Sequence, residues 1–201
     1  MSTNIFLMRH GDNDCIGHTL VGWTPGIHLN EAGRRQAEAL ANRLAKEPVA
    51  AIYSSPLERT METAGPLAAR LGLAIRPCDG LGEIRIGEWT GHKVSELADD
   101  PLWQRFNRQR STTRIPGGES MLEVQLRMVE IFEQIRAGNP EQSVAVFSHG
   151  DPIRAILMYY LGTPLDFVHR LEIYPASISR IVLNDWGPMV VSINETAPIG
   201  S

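Results

Sequence analysis

Two histidines of this chain stand where chemistry explains a histidine better than packing does. His10 is the centre of an Arg-His-Gly motif at residues 9–11, and His149 is the centre of a Ser-His-Gly motif at residues 148–150. Each motif directly follows an apolar run of four residues that is typical of a buried strand. A glycine suits the turn after a strand, but strand packing gives no reason for an imidazole there, or for Arg9 beside it. Imidazole groups next to a guanidinium can bind an anion and attack it as nucleophiles.

A third strand end carries a second arginine. Residues 50–54 are predicted to form a strand, which leads into Ser55-Pro56 and then Arg59. Ser55 is expected to cap the following helix, with Pro56 in its first turn. If the three strands are parallel, their ends meet at one edge of the sheet, where ligands of open α/β sheets bind. The N-termini of the helices after Ser55 and His149 would add N–H groups there, so the residues predict a phosphate site that contains a nucleophile.

The composition excludes several classes of protein. The chain has 201 residues, of which 43% are hydrophobic and 21% charged, as is ordinary for a soluble globular protein. Its net charge of −4 argues against nucleic acid as a partner, because nucleic-acid binding needs a basic face. The apolar stretch at residues 5–8 is too short for a signal-peptide core or a membrane span. Cys15 and Cys78 lack metal-ligand spacing, so we expect two reduced thiols, a cytoplasmic location and no metal site or cofactor.

Strand and helix patterns alternate along the chain. This alternation predicts an α/β fold, a three-layer α/β/α sandwich around a mostly parallel mixed sheet, with a hairpin of strands 179–183 and 189–193 at its end. Asn30 is expected to cap the first helix, and Gly65-Pro66 to bend or break the second. A helix that begins near Glu119 and a last helix near Asp151 are each expected to bury an apolar stripe. These stripes are Leu122, Leu126, Val129 and Phe132, and Ile153, Ile156, Leu157, Tyr160 and Leu161.

Residues from about 84 to 117 interrupt the alternation. They are predicted to form a lid-like insertion within a single domain that spans residues 1–201. Trp89 and Trp103 in this segment are interpreted as packing anchors. A run of four arginines is interpreted as a solvated face in preference to a substrate clamp: Arg105, Arg108, Arg110 and Arg114.

Five motifs together resemble the histidine phosphatase superfamily, and within it the phosphoglycerate-mutase-like branch of small phosphatases. They occur in the expected order within residues 4 to 193: Arg-His-Gly at 9–11, Ser-Ser-Pro-Leu-Glu-Arg-Thr at 54–60, Leu-Gly-Glu-Ile-Arg-Ile-Gly-Glu-Trp at 81–89, Pro-Gly-Gly-Glu-Ser at 116–120 and Ser-His-Gly at 148–150. The resemblance implies that His10 is a nucleophile that becomes phosphorylated, and that Arg9, Arg59 and His149 hold the phosphoryl oxygens.

The same resemblance implies that Glu83 is the proton donor. A carboxylic acid can protonate the leaving oxygen, and the resulting carboxylate can activate water. Other carboxyl groups could fill this role, and the sequence leaves them open: Glu88, Asp12 and Glu119.

The chain departs from the family pattern in the loop after His10. Ile16 stands about where the family has an asparagine that touches the phosphate, so either Asn13 takes over this contact or the contact is missing. Asp12 and Asp14 place two extra carboxylates in the same loop, and we expect them to repel a highly charged substrate.

The sequence therefore predicts a metal-independent phosphomonoesterase that acts on a small phosphorylated metabolite through a phosphohistidine. The alternatives are a phosphoglycerate-type mutase with the same chemistry and a non-catalytic module that binds a phosphorylated ligand. A mutase is disfavoured because the insertion is modest and residues 194–201 form a short tail without cationic residues. The expected partner is a small-molecule phosphate ester, with no nucleic acid and no membrane, and a homodimer is left open.

Overall fold

One mixed sheet organises the protein in the computed structural model, which describes residues 2–196. Six strands are found within this range, in the order β3-β2-β4-β1-β5-β6. Strands β1 to β4 are mutually parallel, and β5 and β6 are antiparallel additions at one edge. The strands are β1 (Ser2–Arg9), β2 (Val49–Ser54), β3 (Ile75–Pro77), β4 (Ser143–Ser148), β5 (Ser177–Asn184) and β6 (Gly187–Thr196).

Helices cover both faces of the sheet, as the α/β/α prediction requires. They are α1 (Glu31–Leu44), α2 (Glu58–Leu71), α3 (Pro101–Arg108), α4 (Met121–Gly138) and α5 (Gly150–Leu161). Strand β1 shows the layering, because its side chains alternate between the faces. Ile5 and Leu7 pack with α4 and α5, whereas Phe6 and Met8 pack with α1 and α2. Truncating such a buried side chain to alanine costs about 2–5 kcal/mol.

Helix α1 begins as predicted, but α2 does not. The Asn30 side chain accepts a hydrogen bond from the Gly33 N–H at 2.9 Å. Helix α2 begins at Glu58, with Leu57 rather than Ser55 at its cap, and it continues through Pro66 without a break. Proline removes one intrahelical hydrogen bond, and we attribute the intact helix to the fully buried face with which α2 packs on the sheet.

The buried stripe of α4 differs from the predicted one. Leu122 and Leu126 are 51% and 60% exposed, while Phe132 is buried as predicted. The helix begins at Met121, after a capping box formed by Ser120 and Glu123. It carries apolar residues on more than one side, so helical periodicity alone allowed two stripes. The stripe that packs on the sheet comprises Met121, Val124, Met128, Phe132 and Ile135. On α5 the predicted residue Leu161 is likewise 47% exposed.

The insertion is anchored at both ends and packs on the core. Gly87 has φ +48°, and a Cβ atom there would lie 2.0 Å from the carbonyl oxygen of Pro116, so the two ends of the segment meet. Its helix α3 and the short 3-10 helices Gly87–Trp89 and Val94–Leu97 contribute Trp89, Leu97 and Phe106 to the same core as α4 and α5. The single domain over residues 1–201 stays a prediction, because Met1 and residues 197–201 of the predicted tail 194–201 lie outside the described residues, while 194–196 belong to β6. Within residues 2–196, the helices are all too short or too polar to cross a membrane.

Candidate active site

Three neighbouring strand ends bring the predicted residues together. The order β2-β4-β1 places the carboxyl ends of these parallel strands side by side, with Arg9 opposite Ser148 and Ser54 opposite Phe147. The rings of His10 and His149 lie 5.2 Å apart between their centroids. Helices α2 and α5 begin at this edge, and neither has a side chain that caps its first N–H groups. Such helix ends favour an anion, so the edge is suited to phosphate.

His10 is held as a neutral imidazole with one defined tautomer. It is 3% exposed, and its Nδ1 lies 2.7 Å from the carbonyl oxygen of Gly11. Since a carbonyl only accepts hydrogen bonds, Nδ1 carries the proton and Nε2 keeps its lone pair. Burial lowers the pKa of His10 well below its ordinary value, and the positive charges of Arg59 and Arg9 lower it further. Nε2 of His10 is therefore available as a nucleophile at neutral pH.

His149 is fully buried behind the cavity wall and is held by a serine. Its Nε2 lies 2.8 Å from Oγ of Ser55, and its Nδ1 is buried without a hydrogen-bond partner in the described part of the chain. Burial, followed by the positive charge of Arg59, lowers the pKa of His149 well below its ordinary value, so the ring is neutral. Ser55 Oγ also accepts a weak hydrogen bond from the Leu57 N–H at 3.4 Å, which favours donation of its own proton to Nε2. This arrangement places the imidazole proton on Nδ1, as a donor.

The two predicted arginines are each anchored by one nitrogen. Arg9 Nη1 donates to the carbonyl of Ile173 at 2.7 Å, and Arg59 Nη2 donates to the carbonyl of Gly22 at 2.9 Å. Arg59 is only 1% exposed. Within residues 2–196, Nε of Arg9 and Nη1 of Arg59 are buried without a hydrogen-bond partner. Because an unsatisfied buried guanidinium is costly, these nitrogens are suited to bind an anionic ligand.

Glu83 lies in the wall of the same cavity, and its pKa is raised above the ordinary value of a glutamate. Its carboxylate accepts a hydrogen bond from the Ile84 N–H at 2.9 Å. Burial raises the pKa of Glu83, and the negative charge of Asp151 raises it further, against the opposing effect of Arg59. The other carboxyl groups left open by the sequence do not line the cavity: Asp12 binds its own loop, Glu119 binds Arg127, and Glu88 is exposed.

Three contacts hold the main chain around Glu83 in place. The indole N–H of Trp23 donates to the carbonyl oxygen of Glu83 at 2.5 Å, and Arg127 donates to the same oxygen at 3.1 Å. Arg127 is itself paired with Glu119 at 3.0 Å. The main chain at Glu83 is therefore held from both the loop after β1 and helix α4.

Asn13 lies at the cavity, but the aspartates on either side of it do not. Asn13 is 4% exposed, and both Asn13 and Ile16 line the cavity. The side-chain oxygen of Asn13 accepts a hydrogen bond from the Cys15 N–H at 3.0 Å, so part of its polar group is used within the loop. Asp12 accepts from the Asn13 N–H, and Asp14 accepts from the Asn30 side chain. The charge of Asp12 nevertheless reaches the site, because it acts to raise the pKa of Arg9, so the expected repulsion of a highly charged substrate stays a prediction.

The cavity lining contains an ion pair that was not predicted from the sequence. Asp151, in the first turn of α5, pairs with Arg110 of the insertion at 2.9 Å and with Arg154 at 3.4 Å. Burial alone would raise the pKa of Asp151, but the charges of Arg110 and Arg154 outweigh it and hold that pKa at about 2. The solvated-face interpretation is wrong for Arg110, which is 5% exposed, and right for the exposed Arg105, Arg108 and Arg114. The signal in the sequence was the aspartate that directly follows Ser-His-Gly.

Comparisons with known proteins agree with this geometry. A family model described as histidine phosphatase superfamily (branch 1) matches residues 5–196. Phosphoserine phosphatase 1 of Hydrogenobacter thermophilus is 31% identical over 201 residues, which cover 98% of this chain and 94% of that protein. Glucosyl-3-phosphoglycerate phosphatase of Mycobacterium tuberculosis is 31% identical over 171 residues, which cover 80% of this chain and 76% of that protein.

Solved structures show the same fold. Bacillus stearothermophilus YhfR superposes with a TM-score of 0.92 at 26% identity, covering 98% of this chain and 100% of that one. Phosphoserine phosphatase from Entamoeba histolytica, in complex with 3-phosphoglyceric acid, superposes with a TM-score of 0.87 at 25% identity, covering 96% of this chain and 98% of that one.

Proposed function

This chain belongs to branch 1 of the histidine phosphatase superfamily, and we propose that it is a metal-independent phosphomonoesterase that acts on a small phosphorylated metabolite through a phosphohistidine. The observation that carries the proposal is the buried pair of imidazoles between two anchored guanidinium groups. Nε2 of His10 keeps its lone pair, and buried nitrogens of Arg9, Arg59 and His149 have no partner within the described residues. Relatives named as phosphatases of small phosphate esters support the same conclusion.

In the first step, the lone pair on Nε2 of His10 attacks phosphorus as the bond from phosphorus to the alcohol oxygen breaks. The carboxylic acid of Glu83 gives its proton to the departing oxygen, so the alcohol leaves neutral. Arg9, Arg59 and the Nδ1–H of His149 would bind the phosphoryl oxygens. Phosphoryl transfer needs mainly positioning and neutralised charge, and these groups supply both.

In the second step, the carboxylate of Glu83 takes a proton from water as the water oxygen attacks phosphorus. The bond between phosphorus and Nε2 of His10 breaks, which releases inorganic phosphate and restores the free imidazole. Glu83 is again protonated, so the cycle closes. Asn13 is proposed as an additional phosphate contact from the loop after β1.

The proposal is tested by trapping the phosphorylated enzyme. A panel of phosphate monoesters is assayed for phosphate release in excess chelator, and the enzyme is quenched during turnover of a radiolabelled ester. We expect a protein label that is labile in acid and stable in alkali, as a phosphoramidate is. We also expect no label and no turnover in His10→Ala, whereas the exposed His18→Ala serves as a control with wild-type rates.

Two outcomes would contradict the proposal. A label that is stable in acid and labile in alkali would indicate a serine, and a His10→Ala variant with near-full rate would exclude His10 as the nucleophile. If ligands bind but no ester is hydrolysed, the non-catalytic alternative is correct. A cytoplasmic location and a homodimer stay predictions from the sequence, which cell fractionation and light scattering would test.

A further inference from the structure

The candidate active site lies in a cavity of about 190 Å³ whose lining combines charged and apolar side chains. The charged and polar part includes Arg9, His10, Arg59 and Glu83. The rest of the wall is largely apolar, with side chains from the loop after β1, from the segment after Glu83 and from the insertion. The ones that carry the argument are Leu20, Ile84, Ile86, Trp89, Trp103 and Phe106. A leaving group bound at this site must therefore contact hydrocarbon.

The aromatic side chains of this wall are held in place by contacts with one another. The rings of Trp89 and Trp103 meet edge to face at 5.2 Å, and those of Trp89 and Phe106 at 5.4 Å. Trp89 is 5% exposed and Phe106 is 2% exposed, so both rings are fixed by the core. Preformed aromatic surface binds an apolar group without first having to be ordered.

Besides Arg9 and Arg59, the described lining of the cavity contains one more arginine, Arg110, and its charge is neutralised by Asp151. Arg110 pairs with Asp151 at 2.9 Å, donates to Asn107 at 3.0 Å and lies 4.2 Å from the ring centroid of Phe106. Arg9 and Arg59 are needed for the phosphoryl group. A second anionic group on a substrate would have to displace Asp151, and it would be repelled by that carboxylate.

We propose that the substrate is a phosphate monoester of an uncharged, largely apolar alcohol, whose hydrocarbon part packs against the half-buried ring of Trp103, which Trp89 and Phe106 hold in place. The inference rests on the proposed phosphatase activity of the same site. It separates this chain from relatives that are named for phosphoserine and glucosyl-3-phosphoglycerate, because the carboxylates and sugar hydroxyls of those esters need polar partners.

The experiment varies the apolar contact while the chemistry stays constant. Ethyl and butyl phosphate have leaving alcohols of nearly equal pKa, so they differ mainly in hydrocarbon length. Each fully buried methylene is worth about a fourfold gain in kcat/KM, so two would give about 16-fold. Because burial in a cavity open to solvent is incomplete, we expect a rise of about tenfold from ethyl to butyl phosphate. O-phosphoserine and 3-phosphoglycerate should fall below butyl phosphate. A flat alkyl series, or a preference for the two carboxylated esters, would overturn the inference.

A matched pair of tryptophan substitutions locates the effect. Trp103→Ala removes a half-buried ring from the cavity wall, and we expect it to lower the butyl-to-ethyl ratio of kcat/KM to about threefold or less. Trp186, in the turn between β5 and β6, is 80% exposed, so Trp186→Ala should keep the wild-type ratio. An unchanged ratio in Trp103→Ala would contradict the proposed wall.

A binding measurement on the wild-type protein separates this inference from the proposed activity. Calorimetry with ethylphosphonate and butylphosphonate needs no turnover, and we expect about tenfold tighter binding of the butyl compound. Tighter binding without hydrolysis of any ester would support the apolar cavity and overturn the phosphatase. Hydrolysis with equal phosphonate affinities would support the phosphatase and overturn the apolar substrate.

Discussion

Oγ of Ser55, at the end of β2, lies 2.8 Å from Nε2 of His149, at the end of β4. The two residues are 94 positions apart in the chain, and both are fully buried. Because Oγ of Ser55 also accepts from the Leu57 N–H, the contact favours donation of the serine proton to Nε2, which makes Nδ1 a donor without a protein partner within residues 2–196. Ser55 therefore acts on the phosphate site through His149.

Removing this hydroxyl should weaken catalysis more than folding. We expect Ser55→Ala to lower kcat about tenfold, because the loss of one hydrogen bond frees the His149 tautomer. Nitrogen NMR of the imidazole should show a mixture of tautomers in the variant and a single one in the wild type. Ser143→Ala, at the opposite end of β4, is the matched control. A tenfold loss with an unchanged imidazole spectrum would mean that Ser55 has a purely structural role.

Glu83→Gln should affect poor leaving groups most. General acid catalysis contributes about 100-fold to 10,000-fold, so we expect at least a 100-fold loss of kcat/KM on butyl phosphate, a quantity that excludes the later hydrolysis of the phosphohistidine shared by all esters. The loss on p-nitrophenyl phosphate should stay within about tenfold, since its leaving group hardly needs a proton. Glu88→Gln, an exposed carboxylate five residues away, is the control. Equal losses on both esters would assign the proton to another group.

The pH dependence should reveal the influence of Asp151 on Glu83. The negative charge of Asp151 raises the pKa of Glu83, while Arg59 and Arg9 lower it. Asp151→Asn removes that charge, which lowers the pKa of Glu83. Glu83 then loses its proton at lower pH.

We therefore expect the alkaline limb of the kcat profile on butyl phosphate to move to lower pH in Asp151→Asn. Glu123→Gln removes an exposed carboxylate paired with Arg114 on α4 and should leave the profile in place. A limb that does not move in Asp151→Asn would contradict the proposed acid.

The sequence alone predicted the site residues that lie at the ends of short apolar strands. His10 and His149 each follow a short apolar strand, and parallel pairing of β1 with β4 brings their ends together, so pattern and topology predicted both. Arg59 was predicted for the same reason at the end of β2. The role of Glu83 came from the family resemblance, since nothing in its local sequence distinguishes it from Glu88.

Three features were not predicted correctly, because they depend on contacts between distant parts of the chain or on a choice between two similar helix faces. The pair of Arg110 and Asp151 joins residues 41 positions apart across an irregular segment, whose path no periodicity describes. On α4, Leu122 and Met121 are both apolar, and only the docking of the helix decides which side is buried. Pro66 was expected to bend or break α2, as proline does in most helices, but the packing of α2 on the sheet outweighs this tendency.

Two helix glycines should respond in opposite directions to alanine. At Gly33 on α1, a Cβ atom would lie 2.1 Å from the carbonyl oxygen of Asp12, a main-chain atom in the loop after His10. At Gly138 on α4, a Cβ atom would meet nothing within 4 Å. We expect Gly33→Ala to lower the free energy of unfolding by about 2 kcal/mol and Gly138→Ala to raise it by roughly 0.5–1 kcal/mol. Urea denaturation of both variants measures this, and shifts of equal sign would contradict the close contact.

Hydrolysis should prevail over mutase activity on 3-phosphoglycerate. A mutase must hold its phosphorylated intermediate away from water while the substrate reorients, which requires a cation for each anionic end. Here Arg9 and Arg59 serve the phosphoryl group, and Arg110 is neutralised by Asp151. With 3-phosphoglycerate and a catalytic amount of the bisphosphate, we expect free phosphate to form faster than 2-phosphoglycerate. His10→Ala gives the blank for both products, because either reaction needs the phosphohistidine. Faster isomerisation would mean that Arg110 leaves Asp151 to bind the carboxylate, and it would overturn the phosphatase assignment.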